Sequence, residues 1–310
     1  MKTLITGGAG FIGSELISQL SGLDLMNLIV IDTDIQRLKN LESRYGVQCL
    51  VMDAGDVKLL DELVTARNIT RIVHLAANSD IRSGISSSKP DFENTLRTSL
   101  AISEVIKNSR IERVFFASSS AVYGVQTLPI RINDSLLKAP TSFYGWAKLG
   151  SELALECACL HRNARLTVIR FPNVVGPEPT HGLLFDLKNK LVSNPLHLEV
   201  LGDGSQRKPY MHVEDLVKVI IKLFWTDSVQ SEFVNVGPSD TVTVRKIVDI
   251  ALQISGLSPT IEWGASPEGW IGDVPYYEFG DELPSVCKEI EIRKSEAAIT
   301  DSFRVWWNKK

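Results

Sequence analysis

Tyr144 and Lys148 stand four residues apart in the run Tyr144-Gly145-Trp146-Ala147-Lys148. On a helix, that spacing puts a phenol and an ammonium on one face. A nearby cation stabilises phenolate and draws a tyrosine pKa down from about 10. Tyr144 could then serve as a general acid or base. The spacing alone also suits an ordinary surface helix, but the run Ala117-Ser118-Ser119-Ser120-Ala121-Val122-Tyr123-Gly124 adds hydroxyls at the end of an apolar stretch.

A second constellation lies at the start of the chain. In Thr6-Gly7-Gly8-Ala9-Gly10-Phe11-Ile12-Gly13, glycines 8, 10 and 13 satisfy G-x-G-x-x-G, and glycines 7, 10 and 13 give a G-x-x-G-x-x-G spacing. A tight strand-to-helix turn needs positive φ, a pyrophosphate must approach backbone without a Cβ in the way, and the opening helix turn supplies amide donors. Asp32 follows Gly13 by 19 residues and ends the next apolar run, where a carboxylate would accept from adenosine ribose hydroxyls. A carboxylate there repels a 2′-phosphate and argues for NAD over NADP, although Arg37 is close enough in sequence to leave the phosphorylated cofactor open.

Both constellations need a scaffold that brings strand ends together. Candidate strands are Thr3–Thr6, Leu28–Asp32, Val47–Met52, Arg71–Ala76, Val114–Ser118 and Leu166–Arg170, with segments of helical period between them. Near-continuous hydrophobic strands imply burial on both faces of a parallel sheet, hence a doubly wound (Rossmann) α/β domain. Asp53 and Ala76-Ala77 then fall at the ligand-binding edge of the sheet, and a helix N-cap is an equally good reading of Asp53. After Arg170 the prolines at 172, 177 and 179 mark a change of texture. Helix Val213–Trp225 and strand Phe233–Val236 can return to the first domain. The expected division is 1–172 plus about 211–237 for the cofactor domain, with about 173–210 and 238–310 forming a smaller, discontinuous α/β substrate domain.

Composition narrows the partners. With 310 residues, 44% apolar and 23% charged, the chain reads as an ordinary globular protein. Lysine and arginine total 33 against 37 acidic residues, a net charge of −4, and no basic tract marks a nucleic-acid or membrane surface. No apolar run nears the roughly 20 residues of a membrane helix, and the glycine motif leaves no room for a leader after Met1, so a cytoplasmic location is expected. Four scattered cysteines suggest buried free thiols rather than a disulfide framework. The five histidines show no metal-ligand spacing, and no metal is expected.

Taken in order, the glycine motif, Asp32, the serine-rich strand end with Val122-Tyr123-Gly124, and Tyr-x-x-x-Lys resemble the extended short-chain dehydrogenase/reductases, the NAD-dependent epimerase/dehydratases of nucleotide sugars. The texture is most similar to UDP-glucose (UDP-galactose) 4-epimerase-like members. The likeness covers nearly the whole chain, through His74-Leu75-Ala76-Ala77, Asn94-Thr95-Leu96, Arg170-Phe171-Pro172-Asn173, Gly202-Asp203-Gly204, Asn235-Val236-Gly237 and Gly269-Trp270-Ile271-Gly272-Asp273. It implies that Ser119, Tyr144 and Lys148 are catalytic, with Lys148 also on the nicotinamide ribose. It adds Ala54, Leu75, Asn94 and Phe171 to the cofactor contacts, and sets Asn173 and Lys208 against a nucleotide-sugar beside Ser119 and Tyr144. A homodimer through the Tyr144 helix and the helix after Asn94 is part of the same expectation.

The implied reaction is reversible oxidation of a sugar carbinol to a 4-keto intermediate, followed by return of the hydride to its other face. Ser120 and Ala121 stand where 4,6-dehydratases carry an Asp-Glu pair, which disfavours standard dehydration. Three further departures are Arg97 for a usual glycine, Lys208-Pro209 for Arg-Asp, and Trp270 near the place of a second diphosphate arginine. The alternatives are a nucleotide-sugar reductase, decarboxylase or atypical dehydratase, and a catalytically silent NAD-binding protein.

Overall fold

Six runs within the first 170 residues form parallel strands: β1 (Lys2–Thr6), β2 (Leu28–Asp32), β3 (Gln48–Val51), β4 (Ile69–His74), β5 (Arg113–Ala117) and β6 (Arg165–Arg170). The computed structural model describes residues 1–20, 22–81, 84, 86–133, 139–226 and 231–309. The strands run side by side in the order β6-β5-β4-β1-β2-β3, each pairing parallel, and strand Glu232–Asn235 lies outside β6 as the seventh. Every residue of β5 is buried, whereas edge strand β3 is only half covered. Continuous hydrophobicity thus follows from cover on both faces. Strand order reverses between β1 and β4, the crevice where doubly wound sheets bind ligands beyond their carboxyl ends.

Helices supply the cover. Leu60 and Leu63 of helix Val57–Arg67, Ile102 and Val105 of helix Arg97–Asn108, and Leu155 and Ala158 of helix Phe143–Arg162 share one core with Leu4, Ile31, Ile72 and Phe116. Each of the leucine, isoleucine, valine and phenylalanine side chains contributes about 1.5–3 kcal/mol by leaving water. Asp34 caps helix Ile35–Tyr45, and Asp56 caps helix Val57–Arg67 by accepting from the Leu59 N–H at 3.1 Å. Asp53 is therefore not the N-cap of that helix.

The chain divides into two compact units, one of residues 1–122, 143–170 and 217–234, the other of 123–142, 171–216 and 235–310. The segment 123–142 groups with the second unit rather than the first because its partners lie there: Ile130 N–H donates to Glu278 O at 2.9 Å and Gly280 N–H to Ile130 O at 2.8 Å. Within the second unit, Leu187 and Leu191, Ile247 and Ala251, and Ile299 and Phe303 pack three helices together. Trp307 stacks on Phe303 and Trp306 on Phe185, holding down the terminal helix.

The expected burial of the cysteines holds for Cys159 and Cys287 but not for the other two. Cys157 is exposed because residues two apart on a helix face different ways, and Cys49, on edge strand β3, is only half covered. Among the described residues no cluster of histidine, cysteine and carboxylate side chains could hold a metal, and no helix is long and apolar enough to cross a membrane.

Candidate active site

The glycine loop joins β1 to helix Phe11–Gln19. Gly7 has φ +67°, and a Cβ on it would lie 2.6 Å from the Ala76 nitrogen; a Cβ on Gly13 would lie 2.6 Å from both Cα and O of Gly8. Backbone occupies the space that any other side chain would need. Unlike the two helices capped by aspartates, helix Phe11–Gln19 starts from Gly10 with no side-chain cap and no acidic residue in its first turn. Its first amides remain available to an anion, with the positive end of the helix dipole behind them. Asp32 Oδ2 accepts from the Ala9 N–H at 3.0 Å and Oδ1 from the Asp34 N–H at 3.0 Å, which pins the carboxylate against this loop. Arg37 is drawn to Asp34 at 3.4 Å. These residues fit a dinucleotide: amides of Phe11 to Gly13 for the pyrophosphate and Asp32 for the ribose.

Two strands along, β5 ends at Ala117, and the chain turns through a short 3-10 helix, Ser120–Tyr123. At about 4.8 Å per strand this edge lies on the order of 10 Å from the end of β1. Helix Phe143–Arg162 presents Tyr144 and Lys148 on its buried face. Tyr144 hydrogen-bonds Ser119, and Lys148 Nζ donates to Ala117 O at 2.5 Å while sitting 5.8 Å from the Tyr144 ring centre. The three residues inferred to be catalytic are thereby brought together. Their electrostatics differ from the simple expectation of a depressed phenol. Burial raises the Tyr144 pKa, the Ser119 hydrogen bond lowers it, and the Asp91 charge raises it. Burial also pushes the Lys148 ammonium down to about 7, with the Glu152 charge pulling it back up. In a dry site, desolvation of both partners outweighs their mutual attraction.

Other predicted contacts fare unevenly. Leu75 and Ala76 lie beside the glycine loop, their N–H groups donating to Thr6 O at 3.1 Å and Thr6 Oγ1 at 3.4 Å, and Ala77 follows. Ala54 places its methyl in the core. Asp53 has its carboxylate taken by the Gly55 N–H at 2.8 Å and by Arg97 Nη2 at 2.7 Å. Asn94 is exposed; the π-helical turn Phe92–Leu96 directs Thr95 inward instead, where its Oγ1 accepts from the Asn78 N–H at 2.9 Å. Phe171, Asn173 and Lys208 belong to the second unit. There Lys208 is ion-paired with the buried Asp273, so its charge is already matched within that unit. Asn173 is exposed on strand Asn173–Val175 and hydrogen-bonds Tyr210.

Sequence reasoning missed a buried polar chain behind the loop. Ser99 Oγ donates to Thr95 O at 2.9 Å, so it must accept from His74 Nε2–H at 3.0 Å; His74 Nδ1 then accepts from Thr6 Oγ1 at 2.7 Å. Burial pushes His74 down to about 3, leaving it neutral in this one tautomer. The signal was a histidine following the apolar pair Ile72-Val73 at the end of a strand, opposite a threonine.

Fold and site together define a dinucleotide-binding α/β protein with a Ser-Tyr-Lys constellation at the carboxyl edge of its sheet. The model of the NAD dependent epimerase/dehydratase family matches residues 3–237, and the chain belongs to that family, whose cofactor is NAD. An "uncharacterized UDP-glucose epimerase", YtcB of Bacillus subtilis, is 29% identical over 272 residues, 85% of each chain. A UDP-N-acetyl-alpha-D-glucosaminuronate decarboxylase of Bacillus cytotoxicus is 27% identical over 267 residues, covering 84% of this chain and 82% of its own. A crystal structure of a UDP-galactose 4-epimerase superposes with a TM-score of 0.82 at 28% identity, covering 98% of both chains.

Proposed function

We propose that the protein is a nucleotide-sugar epimerase that inverts C4 of a UDP-hexose through a transient 4-keto sugar. The observation that carries this reading is the buried grouping of Ser119, Tyr144 and Lys148 at the sheet edge that also carries the glycine loop. Bound NAD supplies the hydride acceptor and later donor. The chain does the rest. Tyr144 Oη takes the proton of the C4 hydroxyl, Ser119 shares a hydrogen bond with that oxygen and holds the phenol in line, and the Lys148 ammonium stabilises the phenolate. When the proton returns, Tyr144 acts as the acid, so the pair ends each cycle unchanged.

The test is to incubate the purified protein with UDP-glucose, UDP-galactose and their N-acetylated counterparts. The expected result is formation of the C4 epimer of one pair with no net NADH. Net NADH would make it a dehydrogenase that exchanges its cofactor, NADH consumed with a 4-keto sugar would make it a reductase, carbon dioxide released from added UDP-glucuronate would make it a decarboxylase, and inertness toward every nucleotide-sugar would favour a silent NAD-binding protein.

The same reading includes a homodimer. Leu100 on helix Arg97–Asn108, and Trp146, Leu153 and Leu160 on helix Phe143–Arg162, expose apolar surface at 47%, 50%, 59% and 74%, so Trp146 and Leu153 are not core residues. Two adjacent helices with that much unburied hydrocarbon suit association with a second copy. Sedimentation should give a dimer for the native chain and a monomer when Trp146→Glu and Leu153→Glu are combined. A native monomer would remove this part of the proposal.

A further inference from the structure

Helix Phe143–Arg162 carries a third charged residue on its buried face, one turn beyond Lys148. Glu152 is 1% exposed, and both of its oxygens are engaged: Oε1 accepts from Arg170 Nε at 3.0 Å and from Ser118 Oγ, and Oε2 from Arg170 Nη2 at 2.6 Å. Arg170 ends β6 and Ser118 follows the end of β5, so two strand ends converge on one carboxylate from the helix. Ser118 directly precedes Ser119, and Ala117, the acceptor of the Lys148 ammonium, directly precedes Ser118. A fully hydrogen-bonded buried ion pair is weak evidence of stabilisation in itself, because desolvation offsets the attraction. Its placement beside the catalytic group needs another account.

We propose that Glu152, held by Arg170 and Ser118, is a positioning residue that keeps the Lys148 ammonium charged inside the protein and so maintains the phenolate-competent state of Tyr144. This rests on the catalytic reading of Tyr144 and Lys148 given above. Several groups among the described residues face Lys148. From its own helix they are Tyr144 and Glu152; from β5, the Ala117 carbonyl and the Phe116 ring at 4.8 Å; from β4, neutral His74; and from β6, Arg170 behind Glu152. Glu152 is the one anion in that set. Burial alone drives the ammonium toward its neutral form, and the carboxylate works against this. Since both Glu152 oxygens are bound to Arg170 and Ser118, the carboxylate acts through its field rather than by taking a proton from Lys148. Arg170 sets how strong that field is, since its charge partly cancels the carboxylate.

The two charges make opposite predictions. Glu152→Gln removes the anion and leaves the Arg170 cation, so the Lys148 pKa should fall by about one pH unit or more. Arg170→Gln leaves the anion uncancelled and should raise it. The double variant Glu152→Gln with Arg170→Gln, which leaves no charge unpaired, should fall below the native protein but less than Glu152→Gln alone, because Glu152 is the nearer group. The measurement is the pH titration of lysine resonances isotope-labelled at the ε carbon in the purified, NAD-containing protein, with Lys148→Arg identifying the Lys148 signal. Kinetics give a second readout: the alkaline limb of turnover, where the Lys148 ammonium loses its proton, should move in the same order, with kcat falling in Glu152→Gln while KM stays near the native value. A Lys148 resonance unmoved in the variants, or displaced in one direction by both single changes, overturns the proposal. Where a single variant does not fold, an unmoved resonance in the double variant overturns it equally. Displaced resonances in a protein that turns over no nucleotide-sugar would remove the epimerase reading and leave the electrostatic one standing.

Discussion

Replacing Tyr144 with phenylalanine is expected to lower kcat by about 10²–10⁴-fold, the usual contribution of one positioned acid–base group. The change deletes a single oxygen. Tyr144 is 9% exposed on a helix whose buried face is otherwise intact, so the ring should keep its place. Ser119 loses a partner but keeps the Ala121 N–H at 3.2 Å as a donor to its Oγ. Thermal stability and NAD content should therefore remain near native while epimer formation collapses. Lys148→Ala should differ in kind. It removes the donor to Ala117 O as well as the charge, so NAD retention should suffer along with turnover. Assays of epimer formation and of bound NAD on the two variants decide the roles. Equal, near-native turnover in Tyr144→Phe would remove the phenol from the chemistry and the proposed mechanism with it.

Why that oxygen is poised where it is could be read only in part from the chain. The spacing of Tyr144 and Lys148 needs nothing but helical geometry, and the glycine loop needs nothing but φ and Cβ constraints, so both were legible one segment at a time. Strands β1, β2, β5 and β6 were legible within a residue because burial on both faces makes them continuous apolar runs. The features that escaped are those in which distant segments meet. Asp53 sits at the expected sheet edge, but only the approach of Arg97 from 44 residues away shows that its carboxylate is already occupied. Asn94 and Thr95 are neighbours, and choosing which one faces inward depends on a π-helical turn that shifts the helical phase. Lys208 reads as a free cation until Asp273, 65 residues on, is seen beside it. Nothing in their spacing pairs Glu152 with Arg170, 18 residues on, until the fold buries them together.

Those pairings also alter how the site works. Desolvation raises the phenol and lowers the ammonium to about 7, so burial works against the ion pair that the proposed reaction needs. An oriented hydroxyl from Ser119 and the Glu152 charge both favour the ionised state. Catalytic competence is then a property of the cluster β5–β6–helix Phe143–Arg162, not of the Tyr-x-x-x-Lys spacing alone.

The second large effect should come from the other end of the site, by adding one carbon at Gly13. The Cβ of Gly13→Ala would fall 2.6 Å from Gly8 Cα, 2.6 Å from Gly8 O and 2.8 Å from Gly7 O. All three are backbone atoms, so no side chain can rotate out of the way, and the loop itself must move. Gly7 has little freedom to follow, since even a Cβ built on it would fall 2.6 Å from the Ala76 nitrogen and its φ of +67° suits only glycine without strain. The displacement must therefore pass into the first amides of helix Phe11–Gln19, the groups proposed to hold the pyrophosphate. A misplacement on the order of 1 Å in such a cradle is worth roughly a hundredfold. Titration of the cofactor-free protein with NAD should show at least that loss in affinity. Gly10→Ala supplies the comparison, because its Cβ meets only Gly7 O, at 3.1 Å. That chain should fold with nearly native stability, so any affinity it loses reports the space the ligand needs rather than damage to the loop. Native affinity for NAD in Gly13→Ala would mean that the cofactor does not bind at this helix, and the dinucleotide reading of the glycine motif would have to be abandoned.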